Sequence, residues 1–273
     1  MTLEQIQLPI HDSFQLFQQE YLRRTTSSEP LLKEVEEYLA TFPGKQLRPT
    51  LLLLAAEACQ HLSQQHVMLA VAIELLHNAS LMHDDVVDES DMRRGHQSVC
   101  NRWGNAVAVI CGDYYLSLVI TALRQADISE ATEIMNNTVT DLCRGELKQL
   151  SLINSHQQSV DDYLEVISCK TASMMTSCCE LGALPISDDG DSHYRQALHD
   201  FGYHYGMVFQ MRDDMHDTDI NHDVSLPSDT SAQSLIDQHT RLAQEALLQL
   251  PDTPARQSLF DLLSPNAPQP TNS

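Results

Sequence analysis

Ala70-Val71-Ala72-Ile73-Glu74-Leu75-Leu76-His77-Asn78-Ala79-Ser80-Leu81-Met82-His83-Asp84-Asp85-Val86-Val87-Asp88-Glu89 is an apolar stretch that closes in an acidic knot. Leu69, Ile73, Leu76 and Leu81 recur near helical spacing, so the stretch reads as a helix with an inward face. Side chains four apart on a helix are neighbours, which places Asp84 and Asp88 side by side. Two carboxylates so placed repel each other unless a cation lies between them. Oxygen ligands in so small a number suit Mg2+, which keeps several waters and shares phosphate oxygens.

A single acidic cluster of this kind is usually a solvated turn. Phe209-Gln210-Met211-Arg212-Asp213-Asp214-Met215-His216-Asp217 repeats the Asp-Asp-x-x-Asp spacing, again at the end of an apolar segment that includes Phe201, Tyr205 and Val208. The repetition favours a two-sided metal site over two surface turns.

The remaining composition sets the frame. With 273 residues, nine glycines, few aromatics and no Gly/Pro/Ser-rich linker in its middle, the chain reads as one all-α domain. The expected domain spans residues 1–264, with 265–273 as a disordered tail. The net charge of −22 argues against nucleic acid as a partner. Seven cysteines form no C-x-x-C pair and read as reduced core residues of a cytoplasmic protein. No basic stretch leads into an apolar one at the N-terminus, and Val107–Leu123, bounded by charge, reads as a buried helix below spanning length, so no transmembrane segment is expected.

Few cations are left, and they gather. Gly44 ends one helix and Pro49 suits the first turn of another, so Lys45 and Arg48 flank a helix start where an anion is already favoured. His77 lies two turns before Asp84, close to the same face. Arg93-Arg94-Gly95 follows the first acidic cluster and suits bidentate phosphate binding. Residues 3–24, Pro30–Ala40 and Ser231–Leu250 read as further packing helices.

Taken in order, Gly44-Lys45-Gln46-Leu47-Arg48-Pro49, the 74–88 stretch, Arg93-Arg94-Gly95, Gly112-Asp113-Tyr114, Gly145-Glu146-Leu147-Lys148-Gln149-Leu150, Lys170-Thr171-Ala172 and Phe209–Asp214 resemble the trans-isoprenyl diphosphate synthases, above all the octaprenyl and related long-chain polyprenyl diphosphate synthases. The resemblance covers about residues 30–217. It implies the isoprenoid synthase fold, a helical bundle around a central cavity, and a homodimer, with a heteromer as an alternative, that condenses isopentenyl diphosphate with an allylic diphosphate. By resemblance, Lys45, Arg48, His77 and Arg94 match the isopentenyl diphosphate side, and Arg93, Lys170, Thr171 and Gln210 the allylic side. Asp84, Asp88 and Asp213 match magnesium ligands, supported by Asp85, Asp214 and Asp217. Ala79 and Ser80, five and four residues before Asp84, leave room for a long product of six or more isoprene units. Quinone side chains are the pathway the resemblance suggests.

The resemblance breaks after Asp217. The family's Gly-Lys-Pro loop and Lys-x-Thr-Leu-Pro segment are missing, no lysine follows Lys170, and the chain resumes at Ser231 as after an internal deletion. Two readings follow: a long-chain prenyltransferase, and a weakened or inactive subunit that stabilises a complete synthase. A terpene cyclase fits less well, because Asp213-Asp214-x-x-Asp217 is not the Asn/Asp-Ser/Thr-Glu type of motif that cyclases carry.

Overall fold

A computed structural model describes residues 2–155, 159–185, 194–216 and 231–264. Among these the protein is helical: α1 (Leu3–Ile6), α2 (His11–Arg24), α3 (Pro30–Leu39), α4 (Leu47–Ala58), α5 (Gln64–Val87), α6 (Val99–Trp103), α7 (Asn105–Ala126), α8 (Ser129–Ser155), α9 (Val160–Ile167), α10 (Ser173–Gly182), α11 (Arg195–His216), α12 (Ala232–Leu247) and α13 (Pro254–Leu262). The strands β1 (Met92–Arg93) and β2 (His96–Gln97) form a single antiparallel hairpin.

α5 is the axis. Its 24 residues contain no Gly or Pro, and fourteen of them are buried, including Leu69 to His77 without a break. A helix buried nearly all round must lie inside the bundle; α2, α4 and α7 pack against it, while α10 joins α4 to α11. One large core spans most of these helices. A smaller one, with Tyr163, Val166, Ala172, Met207, Val208, Met211 and Ile236, supports the end of α11 that carries the second acidic motif. Gly206 of α11 lets the chain lie against Ala172, whose Cα would stand 2.5 Å from any Cβ placed at Gly206.

Between α9 and α10 the helix widens into a π turn over Ser168–Ala172. Such a turn holds one residue more than the α-helical repeat and is frequent at functional sites. Here it carries Lys170 and Thr171.

Several expectations need correction. Residues 3–24 are not one helix: Pro9 breaks them into α1, a 3-10 turn at Leu8–Ile10 and α2, and Leu8 points outward at 68% exposed. α4 begins at Leu47, so Arg48 lies inside its first turn rather than before the helix start. α7 is longer than expected at 22 residues, long and apolar enough by length and composition to cross a membrane. Nor is it wholly buried. One face, Ala108, Cys111, Gly112, Tyr115, Val119 and Ala122, packs inward, while Ile110 and Ile120 are 67% and 69% exposed. The cysteines are all free, but Cys143 is exposed and Cys100 and Cys169 are half-buried, so only four are core residues. The buried stripe of α12 runs through Ile236, Ala243, Ala246 and Leu247; Leu235, His239 and Leu242 flank it. Asp217, the segment at which the resemblance breaks and the tail at 265–273 lie outside the described residues.

Candidate active site

The last turn of α5 delivers three aspartates in three environments. Asp84 is half-buried, Asp85 buried, and Asp88, the residue that caps the helix, exposed. Asp85 turns away from its neighbours and accepts from Arg93, with Nε 2.8 Å from Oδ1. Burial raises the Asp84 pKa to about 7, with Lys170 opposing the rise and Glu146 and Asp88 adding to it. Asp84 is thus a carboxyl cut off from water, with Lys170 and Arg93 as its compensating charges.

The second motif meets the first through the π turn. Lys170 forms an ion pair with Glu146 of α8 at 2.6 Å and donates to Gln149 Oε1 at 2.9 Å, while facing Asp84 and Asp88. Its neighbour Thr171 donates to Gln210 Oε1 at 2.7 Å, and Gln210 Nε2 donates to Asp214 Oδ1 at 2.6 Å. Tyr163, fully buried, donates its hydroxyl to the other Asp214 oxygen at 2.6 Å. Asp213 is 8% exposed. Two consecutive residues therefore connect acidic motifs that lie more than 120 residues apart in sequence.

Beside the acidic pair lies a cationic pocket. Arg48 NH1 stands 2.9 Å from His77 Nε2. An arginine only donates, so Nε2 accepts and the proton of this neutral imidazole sits on Nδ1. Burial, then Arg48 and Arg94, push the His77 pKa well below its ordinary value. Arg94 occupies the left-handed region (φ 52°), followed by Gly95 at φ 74°, a mirror-image hairpin turn that glycine and asparagine usually fill. Its guanidinium lies where a Cβ at Gly44 would fall, and NH1 reaches the Phe42 carbonyl at 3.5 Å. Glu74, one turn below His77, is 3% exposed and faces both arginines. Lys45 is exposed on the loop before α4. Arg93 joins the two halves, since its charge acts on both Asp84 and His77.

A family model described as polyprenyl synthetase matches residues 29–225, nearly three quarters of the chain. The chain belongs to the polyprenyl synthetase family. Among curated members of that family, it is 32% identical over 208 residues to heptaprenyl diphosphate synthase component 2 of Bacillus subtilis (strain 168), covering 76% of this chain and 59% of that one. It is 32% identical over 221 residues to octaprenyl diphosphate synthase of Haemophilus influenzae, covering 81% and 67%. This polyprenyl synthetase thus spans about three fifths of the Bacillus relative's length. Among solved structures it superposes on a decaprenyl diphosphate synthase from Rhodobacter capsulatus with a TM-score of 0.82 at 27% identity, over 95% of this chain and 97% of that one. A polyprenyl synthase from Caulobacter crescentus CB15, complexed with calcium and isoprenyl diphosphate, shares the fold at a TM-score of 0.85 and 24% identity, over 96% of each chain.

In this family member the structure brings most of the expected residues together. Asp84, Asp88, Lys170, Thr171, Gln210 and Asp214 gather around the π turn, and Arg48, His77 and Arg94 form the adjoining pocket. Asp85 and Arg93 are engaged with each other. Ala79 is fully buried and Ser80 half-buried, its hydroxyl donating to the His77 carbonyl at 2.9 Å. Sequence reading missed the parts played by Glu74, Glu146, Gln149 and Tyr163. The Gly145–Leu150 motif contained two of them, and only folding reveals what they hold. Among the described residues, no group of three or more His, Cys, Asp or Glu side chains could hold a metal ion by itself.

Proposed function

We propose that this family member is a Mg2+-dependent prenyltransferase, which condenses isopentenyl diphosphate with an allylic diphosphate into a long-chain all-trans polyprenyl diphosphate. The observation that carries the reading is the convergence of the two aspartate motifs on Lys170 and Thr171, with a pocket of two arginines alongside. The donor set suits a hard divalent cation: Asp84 and Asp88 lie beside Lys170, Asp214 is tied to Thr171 through Gln210, and water and diphosphate oxygens would fill the remaining positions. Asp84, Asp88 and Asp213 are the residues assigned to hold it. Bound there, Mg2+ would neutralise charge that builds on a departing diphosphate.

The chain's own groups would do the rest. Lys170, Thr171 and Gln210 orient the allylic diphosphate so that its C–O bond ionises, and Lys170 adds a fixed positive charge beside the leaving group. Lys45, Arg48, His77 and Arg94 hold the isopentenyl diphosphate headgroup, and its double bond attacks the allylic cation. The proton lost afterwards goes to the departed diphosphate. No protein nucleophile takes part.

The product would grow along α5 past Ala79 and Ser80. From Asp84 to Met68 that helix advances about 24 Å. The small side chains of Ala79 and Ser80 favour a long product over a short one. The assignment to quinone side chains rests on the resemblance, and that to the cytoplasm on seven cysteines without a C-x-x-C pair.

A homodimer is our reading of assembly. The outer face of α7 exposes Val109, Ile110 and Ile120 and that of α8 exposes Leu147 and Leu150. A chain of net charge −22 can meet a second copy of itself most readily across an apolar face. A second reading, a subunit of a two-component synthase, is favoured by the likeness to heptaprenyl synthase component 2.

Incubation of purified protein with labelled isopentenyl diphosphate, farnesyl diphosphate and Mg2+ decides between the readings. Elongation that disappears in Asp84→Ala supports the enzyme. Turnover only on mixing with a full-length synthase supports the subunit, and a product no longer than farnesyl diphosphate from shorter primers refutes the long-chain assignment.

A further inference from the structure

Glu74 is 3% exposed, yet its Oε2 has no hydrogen-bond partner. A buried carboxylate kept only for structure would close an ion pair and satisfy both oxygens. Here the neighbours come from five elements: Arg48 of α4, Arg94 of the hairpin, Tyr21 of α2, Cys178 of α10, and His77 and Asn78 of α5 itself. Both arginines face the carboxyl without closing on it, and both also face His77, where the pocket receives its anion.

We propose that Glu74 is the positioning residue of the headgroup pocket: it holds Arg48 and Arg94 in place before substrate arrives and takes up a proton when a diphosphate binds them. The inference rests on the diphosphate reading above. Its logic is charge balance. Burial raises the Glu74 pKa and the two guanidiniums oppose the rise. A diphosphate that occupies those guanidiniums withdraws their support from the carboxylate. The proton comes from solvent and settles on Oε2, the oxygen left without a partner; the released arginines turn to the ligand.

The test is calorimetric titration of inorganic pyrophosphate into the whole protein in two buffers of different ionisation enthalpy, which counts protons taken up per ligand bound. The ligand's own titration cancels in the difference between proteins. Relative to the native chain, Glu74→Gln should take up about one proton fewer and bind roughly tenfold more weakly. Glu74→Asp, which keeps a titratable carboxyl in the same place, should retain the uptake and serves as the working variant if the glutamine form does not fold. His77→Asn, which removes another titratable group of the same pocket, should leave the Glu74 contribution intact. Binding with the same proton count in Glu74→Gln overturns the proposal alone. No binding of pyrophosphate by the native chain overturns the diphosphate reading and this proposal with it.

Discussion

Thr171 donates its hydroxyl to Oε1 of Gln210 across 2.7 Å, and this bond ties the π turn to the second acidic motif. Thr171→Val keeps the shape and removes the donor, leaving a half-buried acceptor poorly served. The expected cost is about 1 kcal/mol, or roughly five- to tenfold in the KM for allylic diphosphate, with the KM for isopentenyl diphosphate unchanged. Steady-state kinetics with each substrate varied separately checks it.

Gly44 lies against the Arg94 guanidinium, so any Cβ there collides with it. Gly44→Ala should push Arg94 out of the pocket and raise the KM for isopentenyl diphosphate about tenfold, equivalent to ~1.4 kcal/mol. Thermal stability should hardly move, since the loop before α4 is partly exposed. Equal losses for both substrates would show that Arg94 serves the site as a whole.

Ala79 is fully buried within the main core. If a product-bearing shaft passes it, Ala79→Phe shortens the product while the melting temperature holds. If the space is already filled, the phenyl overpacks it and costs about 1–3 kcal/mol. Product chromatography and a thermal melt on the same preparation separate the two outcomes.

His66 is fully buried, with Nε2 donating to the Leu184 carbonyl at 3.2 Å and Nδ1 facing the Ser63 hydroxyl at 3.1 Å. Burial lowers its pKa to about 4, below the value of an unfolded histidine. The unfolded chain therefore binds the extra proton first. This contribution to stability is intact at pH 7, falls as the pH drops from about 6.5 to 4, and amounts to about 3 kcal/mol when complete. His239, also lowered to about 4 and 2.9 Å from His204, adds to the same limb. Urea unfolding at pH 7 and 4.5 should show a smaller acid loss in His66→Gln than in the native chain.

Ile110 and Ile120 stand on the exposed face of α7. Ile120→Asp should convert a dimer into monomer by sedimentation, with activity falling in parallel if the site depends on the assembly.

Much of this architecture was legible in the sequence, and the reason is local. Helical periodicity before Asp84 and after Phe201 needs only neighbours in the chain to be recognised, and α5 and α11 form where it places them. The motif residues Lys170 and Thr171 were found as types, but not the π turn that aims them, because its widening depends on the packing of Gly145 and Gly206 against it. Glu74 and Tyr163 escaped notice for a similar reason. Their neighbours Arg94 and Asp214 come from other elements, and no spacing along the chain records such a meeting. α7 misled in the opposite way: apolar residues all round suggested burial, whereas one side faces outward.

The extra residue in the π turn also acts as an index. A π turn fits about five residues into the rotation that four take in an α-helix, so deleting Ser168 or Cys169 would close the stretch to an α-helix with α9 and α10 still aligned, while the residues inside it change direction. Lys170 would then leave Glu146 and Thr171 would leave Gln210, although neither partner had been replaced. The irregular stretch leaves two regular helices in line while it redirects the residues between them, and that redirection lets one chain segment address both acidic motifs.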